Sequence, residues 1–266
     1  MEIQELTEEI RKEAMTDEFG VVYSRDGEWL ISALGCTVQE YWIKEGTKYI
    51  GHVAFHNNQV THLHQPESLV AIGMDAYGFC HIESLNLPKN LRYIPGVNPF
   101  THCFGVKQVT CESEWFIVEQ GLLYSRDHQV LYGAVTDDFP ERLTLEEPRK
   151  VIVNGAFNWR KRLKEVVIPD SVEELGKGSF VRTSLERVRL SSNIKEIPTE
   201  CFASCKLREV VIPEGVERIA DGAFSENPLL KQVSLPSTLK DTGRDVFEGC
   251  ATHPAWRHPS LEKGGE

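Results

Sequence analysis

The feature that most constrains this chain is a register of aromatic residues. Phe157, Phe180, Phe202, Phe224 and Phe247 stand 23, 22, 22 and 23 residues apart. Four of them close segments built on one template: LKEVVIPDSVEELGKGSF (163–180), SLERVRLSSNIKEIPTECF (184–202), KLREVVIPEGVERIADGAF (206–224) and LKQVSLPSTLKDTGRDVF (230–247). A fixed period of this length signals stacked units, because a single unit carries an apolar face that only a neighbour can cover. The first half repeats the pattern more loosely. Phe55, Tyr77 and Phe100 close turns around VTHLHQP (60–66), IESLNLP (82–88) and VKQVTC (106–111), while EYWIK (40–44) and ERLTLE (141–146) fill the same slot, giving nine strand slots.

Within V-x-I the apolar residues fall two apart, so they point to one side of a short strand. Val166, Ile168, Val188, Leu190, Val210, Ile212, Val233 and Leu235 form the inward ladder. Proline after the strand, at Pro66, Pro88, Pro169, Pro213 and Pro236, cannot donate to a ladder and ends pairing there. The stretch ERIADGAF (217–224) is too short for a full helix, so one helical turn or 3₁₀ is expected there. Three residues after the aromatics stand Asn58, Cys80, Cys103, Thr183, Cys205, Asn227 and Cys250. This column of small residues is expected to satisfy backbone groups of the turns. Four of the seven cysteines fall in it, which favours buried, inert thiols over metal ligands or nucleophiles.

A larger duplication overlies the short one. FGVVYSRDGEWLI (19–31) matches QGLLYSRDHQVLY (120–132), and in each apolar residues flank a polar turn, which reads as a β-hairpin.

With I-P-x-x-V-x-x-I-x-x-x-A-F recurring at 22 to 23 residues, as in IPEGVERIADGAF (212–224), the chain resembles the BspA-like leucine-rich repeats. LLYSRD (122–127) and VVYSRD (22–27) resemble the element that interrupts such arrays. The resemblance covers roughly residues 17 to 250. It implies an α/β solenoid with one short strand per coil on a concave face, short helical or 3₁₀ turns on the convex one, and two inserted hairpins. The expected organisation is a capping helix over 1–18, a solenoid over 19–250 and a cap with a frayed tail over 251–266. The hairpins fall at 19–31 and 116–132, dividing the solenoid into sub-blocks 19–115 and 116–250. Solenoid ends need a cover over the exposed core. Ile3, Leu6, Ile10 and Ala14 give the N-terminal segment a helical period, and Trp256 is expected to plug the last coil.

The net charge of −11 opposes nucleic acid and anionic lipid. No stretch reaches the roughly 20 apolar residues of a membrane helix. The opening residues, MEIQELTEEIRKEAMTDEFG, lack the basic start and apolar run of a secretory signal, so a cytoplasmic location is expected. No G-x-S-x-G, H-E-x-x-H, Walker loop or G-x-G-x-x-G is present, and the expectation is a non-enzyme without cofactor.

The informative residues are those that alternate away from the core. Trp42 beside His62 and His64 forms an aromatic, titratable patch; Trp42 reads equally as a protein-binding anchor or as packed under the N-terminal helix. Arg142, Glu165, Arg187, Arg189 and Glu209 form a second, charged set. Cross-strand ion pairing explains it without a ligand; an acidic partner is the alternative. The function expected is a scaffold or inhibitor-type protein that holds a partner protein on its concave sheet. An extracellular adhesin-like binder is the alternative, with a metal-dependent enzyme a remote third because six histidines fall between His52 and His102.

Overall fold

The structure is a computed structural model and describes residues 7–251. These residues fall into two compact units, one running to Asp127 and including Tyr132–Phe139, the other comprising His128–Leu131 and the chain from Pro140 onward.

The first unit begins with the helix α1 (Glu8–Lys12), whose Thr7 cap accepts from the Ile10 N–H and whose first turn is acidic. It continues through β1 (Met15–Thr16), β2 (Val22–Tyr23), β3 (Trp29–Ser32), β4 (Glu40–Trp42), β5 (Tyr49–Ile50), β6 (His62–His64), β7 (Ala71–Ile72), β8 (Ser84–Leu87), β9 (Gln108–Cys111), β10 (Phe116–Glu119) and β11 (Leu122–Ser125). β1, β2 and β3 pair antiparallel as a meander, and β10 pairs antiparallel with β11. The other strands form two parallel ladders. β4, β6, β8 and β9 make one, with Tyr41, Leu63 and Leu85 inward; β3, β5 and β7 make the other.

The second unit takes Val130 and Leu131 from β12 (Val130–Ala134), then β13 (Arg142–Thr144), β14 (Val151–Ile152), β15 (Glu165–Val167), β16 (Glu174–Leu175), β17 (Arg187–Arg189), β18 (Glu196–Ile197), β19 (Glu209–Val211), β20 (Arg218–Ile219), β21 (Gln232–Ser234) and β22 (Asp241–Thr242). β13, β15 and β17 pair in parallel, as do β19 and β21; on the other side β14 pairs with β16, and β18, β20 and β22 form a ladder. Among the described residues both ladders break at one place, between β16 and β18 and between β17 and β19. Packing continues across that break, because Phe157, Phe180, Phe202, Phe224 and Phe247 stack with centroids 5.2 to 5.6 Å apart.

The leucine-rich-repeat fold holds, but the helical turns expected on the far side do not form. Apart from α1, no described residue is helical. The backbone explains why. The N–H groups of Glu200, Phe202 and Ser204 donate to the carbonyls of Asp221, Ala223 and Ser225 one coil onward, at 2.8 to 3.1 Å. The intervening Cys201 and Ala203 instead close tight turns onto Pro198 and Glu200. A helix would direct all of these N–H groups back along its own axis. Here alternate ones reach the neighbouring coil, and the chain achieves this with left-handed residues four apart, such as Glu200 with Ser204 and Gly178 with Arg182. The aromatic between them points inward and is wholly buried.

At the N-terminus, the described part of the expected cap, residues 7–18, holds α1, which buries none of its residues, and β1, which pairs with β2. Ile3, Leu6 and Trp256 lie outside the described residues.

The column after the aromatics bonds chiefly to carbonyls. Cys80 Sγ donates to the Phe55 carbonyl, Cys205 Sγ to that of Phe180 at 3.2 Å, and Asn227 Nδ2 to that of Phe202 at 2.8 Å, each reaching 25 residues back. The Leu207 amide, in turn, donates to Asn227 Oδ1. Burial pushes the Cys80 and Cys201 thiols up to about 12 and that of Cys205 to about 11.

Candidate partner-binding site

In the first unit, parallel register sets Glu40 beside His62 and Trp42 beside His64. The residues between them, Tyr41 and Leu63, face the core, so all four side chains project outward. Trp42 is 60% exposed. Its indole lies flat on the His64 imidazole, centroids 4.4 Å apart and planes 6° from parallel. His64 Nε2 meets Glu40 Oε1 at 3.0 Å, and His62 Nδ1 meets Ser84 Oγ at 2.9 Å. The patch is therefore a flat aromatic surface held in one orientation by its neighbours. Asn86 on β8 stands next along this ladder. It accepts from the Gln65 amide and donates to the Gln65 carbonyl, tying the end of β6 to the next coil.

In the second unit, Arg142, Glu165 and Arg187 stand in register on β13, β15 and β17. Arg187 Nη2 donates to Glu165 Oε2 at 2.8 Å, and Arg142 Nε lies 3.6 Å from the same oxygen. The hydrogen bond from Arg187 holds the Glu165 carboxyl below its ordinary range. Arg189 turns elsewhere: it donates to Asp170 at 2.8 Å and to the Ile168 carbonyl at 2.9 Å. Backbone donation from Ser192, followed by Arg189 itself, holds the Asp170 carboxyl down. Asp170 escaped notice in the sequence because it lies in the turn after β15, out of strand register with Arg189. Glu209 is exposed and joins no ion pair among the described residues. Between β15, β17 and β19 lies an open depression of about 400 Å³, bordered by Arg187, Arg189, Glu209 and the exposed Val211.

The histidines of the first unit do not converge. His52 Nδ1 accepts from the Met74 amide, His56 approaches Asp75 at 3.6 Å, and His102 stacks on Phe79. Among the described residues, no group of three or more His, Cys, Asp or Glu side chains stands close enough to hold a metal ion. No helix among them is long and apolar enough to cross a membrane.

The sequence matches the model of the BspA type leucine rich repeat region in six copies, over residues 34–128 and 141–254. No curated protein matches the chain. A leucine rich cell surface protein from Faecalibacterium prausnitzii is similar in structure, with a TM-score of 0.70 and 24% identity over 80% of this chain. This chain spans 60% of that protein's length. A leucine-rich repeat protein from Eubacterium ventriosum superposes with a TM-score of 0.57 at 14% identity, covering 86% of this chain and 81% of that one. The pneumococcal vaccine antigen PcpA does so with a TM-score of 0.54 at 17% identity, covering 85% and 72%. At these identities the three structures share the fold.

Proposed function

Because this chain belongs to the BspA-type leucine-rich-repeat family, we propose that it is a non-catalytic binding protein that holds a partner protein on the outward face of its strand ladders. The observation that carries this reading is Trp42, 60% exposed and stacked flat on His64. A large exposed ring offers apolar area for a partner to cover, and tryptophan is enriched among the residues that dominate binding energy. In the second unit Arg187 and Arg189 already hold carboxylates, so that face offers a partly neutralised rim rather than a bare cationic patch.

The test is affinity capture with the intact chain beside Trp42→Ala and beside the double variant Arg187→Glu, Arg189→Glu. A partner retained by the intact chain and lost with Trp42→Ala supports the reading. Equal retention by all three overturns it. A surface-exposed, adhesin-like role is the second reading, favoured by the cell-surface description of the Faecalibacterium protein against the cytoplasmic scaffold expected from the sequence. Antibody labelling of intact cells against broken ones separates the two.

A further inference from the structure

Exposed lysines of the second unit commonly meet a carboxylate one coil away, as Lys164 does with Glu141 and Lys240 with Glu217. The turns that follow Phe157, Phe180 and Phe202 depart from this. Trp159 and Arg182 hold the same position in successive turns, each with a left-handed backbone at φ of +63° and +58°, and Ser204 holds it in the third at +55°. Two residues on, the corresponding positions are Lys161, Ser184 and Lys206. Lys161 Nζ lies 5.0 Å from the centre of the Trp159 ring, and the Arg182 guanidinium lies 5.1 Å from it. One indole thus holds two cations, a contact that offsets part of their repulsion. Lys161, Arg182 and Lys206 are exposed and join no ion pair among the described residues, and the half-buried Ser184 and Ser204 make no side-chain hydrogen bond among them. Desolvation, with the charges of Lys206 and Arg182 adding to it, holds the Lys161 amine below its ordinary value. In a chain of net charge −11, three like charges therefore stand together without a counter-ion of their own.

We propose that Lys161, Arg182 and Lys206, with Ser184 and Ser204, form a binding site for a phosphate or sulfate group on the turn side of the second unit. Coil register sets its geometry. The phenylalanine stack spaces these turns 5.2 to 5.3 Å apart, so an anion over the middle turn, at Arg182 and Ser184, is within reach of a lysine from either side. A guanidinium fork, two ammonium groups and two hydroxyls supply more donors than the two oxygens of a carboxylate can take up, whereas a tetrahedral oxyanion presents three or more acceptor oxygens. The site lies on the turns rather than the strand ladders, so it stands or falls independently of the partner-binding face.

Calorimetric titration of the full chain with inorganic phosphate, sulfate and acetate at constant ionic strength tests this. Saturable binding of phosphate or sulfate is expected at low millimolar concentration or below, with acetate at least tenfold weaker. Arg182→Ala and Lys161→Ala should each weaken it at least fivefold, while Lys240→Ala, which removes a cation already held by Glu217, should leave it unchanged. The altered side chains are exposed, so folding survives, which circular dichroism checks. By NMR, the Lys161 ammonium should lose its proton at higher pH with phosphate bound than without. Phenyl phosphate separates the sources of the group: binding as tight as that of inorganic phosphate marks a group borne on a larger molecule, and weaker binding marks a free ion. Absence of saturable binding up to tens of millimolar, acetate binding as tightly as phosphate, or affinity indifferent to Arg182→Ala overturns the proposal.

Discussion

Phe180 and Phe202 stack face to face at 5.2 Å with their planes 6° apart, and both are inaccessible to solvent. The stack continues on either side, to Phe157 and to Phe224, so each ring contributes to two coil interfaces. Replacing Phe202 with alanine removes both contacts and leaves a cavity that rigid neighbouring coils cannot close. The expected loss is about 3–5 kcal/mol. Chemical denaturation measures it. Because a solenoid's stability sums over neighbouring interfaces, the same variant should make unfolding less cooperative, splitting the transition of the second unit.

Asn227 is fully buried and occupies the column behind the aromatics. Its Nδ2 group faces three carbonyls, those of Phe202, Phe224 and Ser225, and its Oδ1 accepts from the Leu207 amide. Asn227→Ala should cost about 1–3 kcal/mol, since buried groups then lack a partner. Asn227→Asp should cost more, because a carboxylate would be forced against carbonyl oxygens. Asn227→Cys should cost least of the three, as Cys205 already donates to the equivalent carbonyl of Phe180. Thermal unfolding of the three variants establishes the order.

Strand positions, inward residues and closing aromatics were legible because each follows from a period of two within a period of 22 to 23. The far side was not. A segment such as IPTECF (197–202) carries no mark of where its N–H groups go, and inter-coil donation is a long-range choice that local propensity does not record. The signal available was the glycine at 155, 178 and 222, each four residues before a second left-handed position. Arg160 was also missed. It stands three residues after Phe157, in the slot held elsewhere by Asn, Cys or Thr, and is 1% exposed; a long cation there broke the pattern of small residues. Of the candidate site, the register of Trp42 with His64 and of Arg187 with Glu165 followed from strand alternation. The diversion of Arg189 to Asp170 did not, because it depends on how the chain turns after Pro169.

Three buried thiols make stability sensitive to alkali. Burial raises Cys80 and Cys201 from 9.0 to about 12 and Cys205 to about 11. Above the unfolded value the unfolded chain releases these protons while the folded one keeps them. Their contribution is thus complete below about pH 9 and is lost as pH rises toward the folded values, with a slope of up to about 1.4 kcal/mol per pH unit per thiol. The melting temperature should fall steeply between pH 9 and 11, and Cys205→Thr, which copies Thr183, should flatten the fall. At pH 8 a thiol reagent should leave Cys80, Cys201 and Cys205 unmodified until denaturant is added. An unchanged melting temperature across this range would contradict burial of the thiols.

The turn joining β10 to β11 sets the register of the later hairpin. Glu119 pairs with Leu122, leaving Gln120 and Gly121 as the two central residues, with φ of +50° and +76°. That is the left-handed pair a type I′ turn requires, and it matches the twist of the strands it joins. A Cβ on Gly121 would stand 2.4 Å from Thr136 Oγ1, which accepts from the Asp138 amide at 3.1 Å. Gly121→Ala therefore combines an unfavourable φ with a collision. Gly27, in the earlier hairpin, has the same φ of +76° but open space where its Cβ would lie. Gly27→Ala should cost about 1–2 kcal/mol, the conformational cost alone, and Gly121→Ala measurably more. Denaturation midpoints of the two variants compare them directly, and an equal loss would mean that the hydroxyl of Thr136 rotates away without penalty.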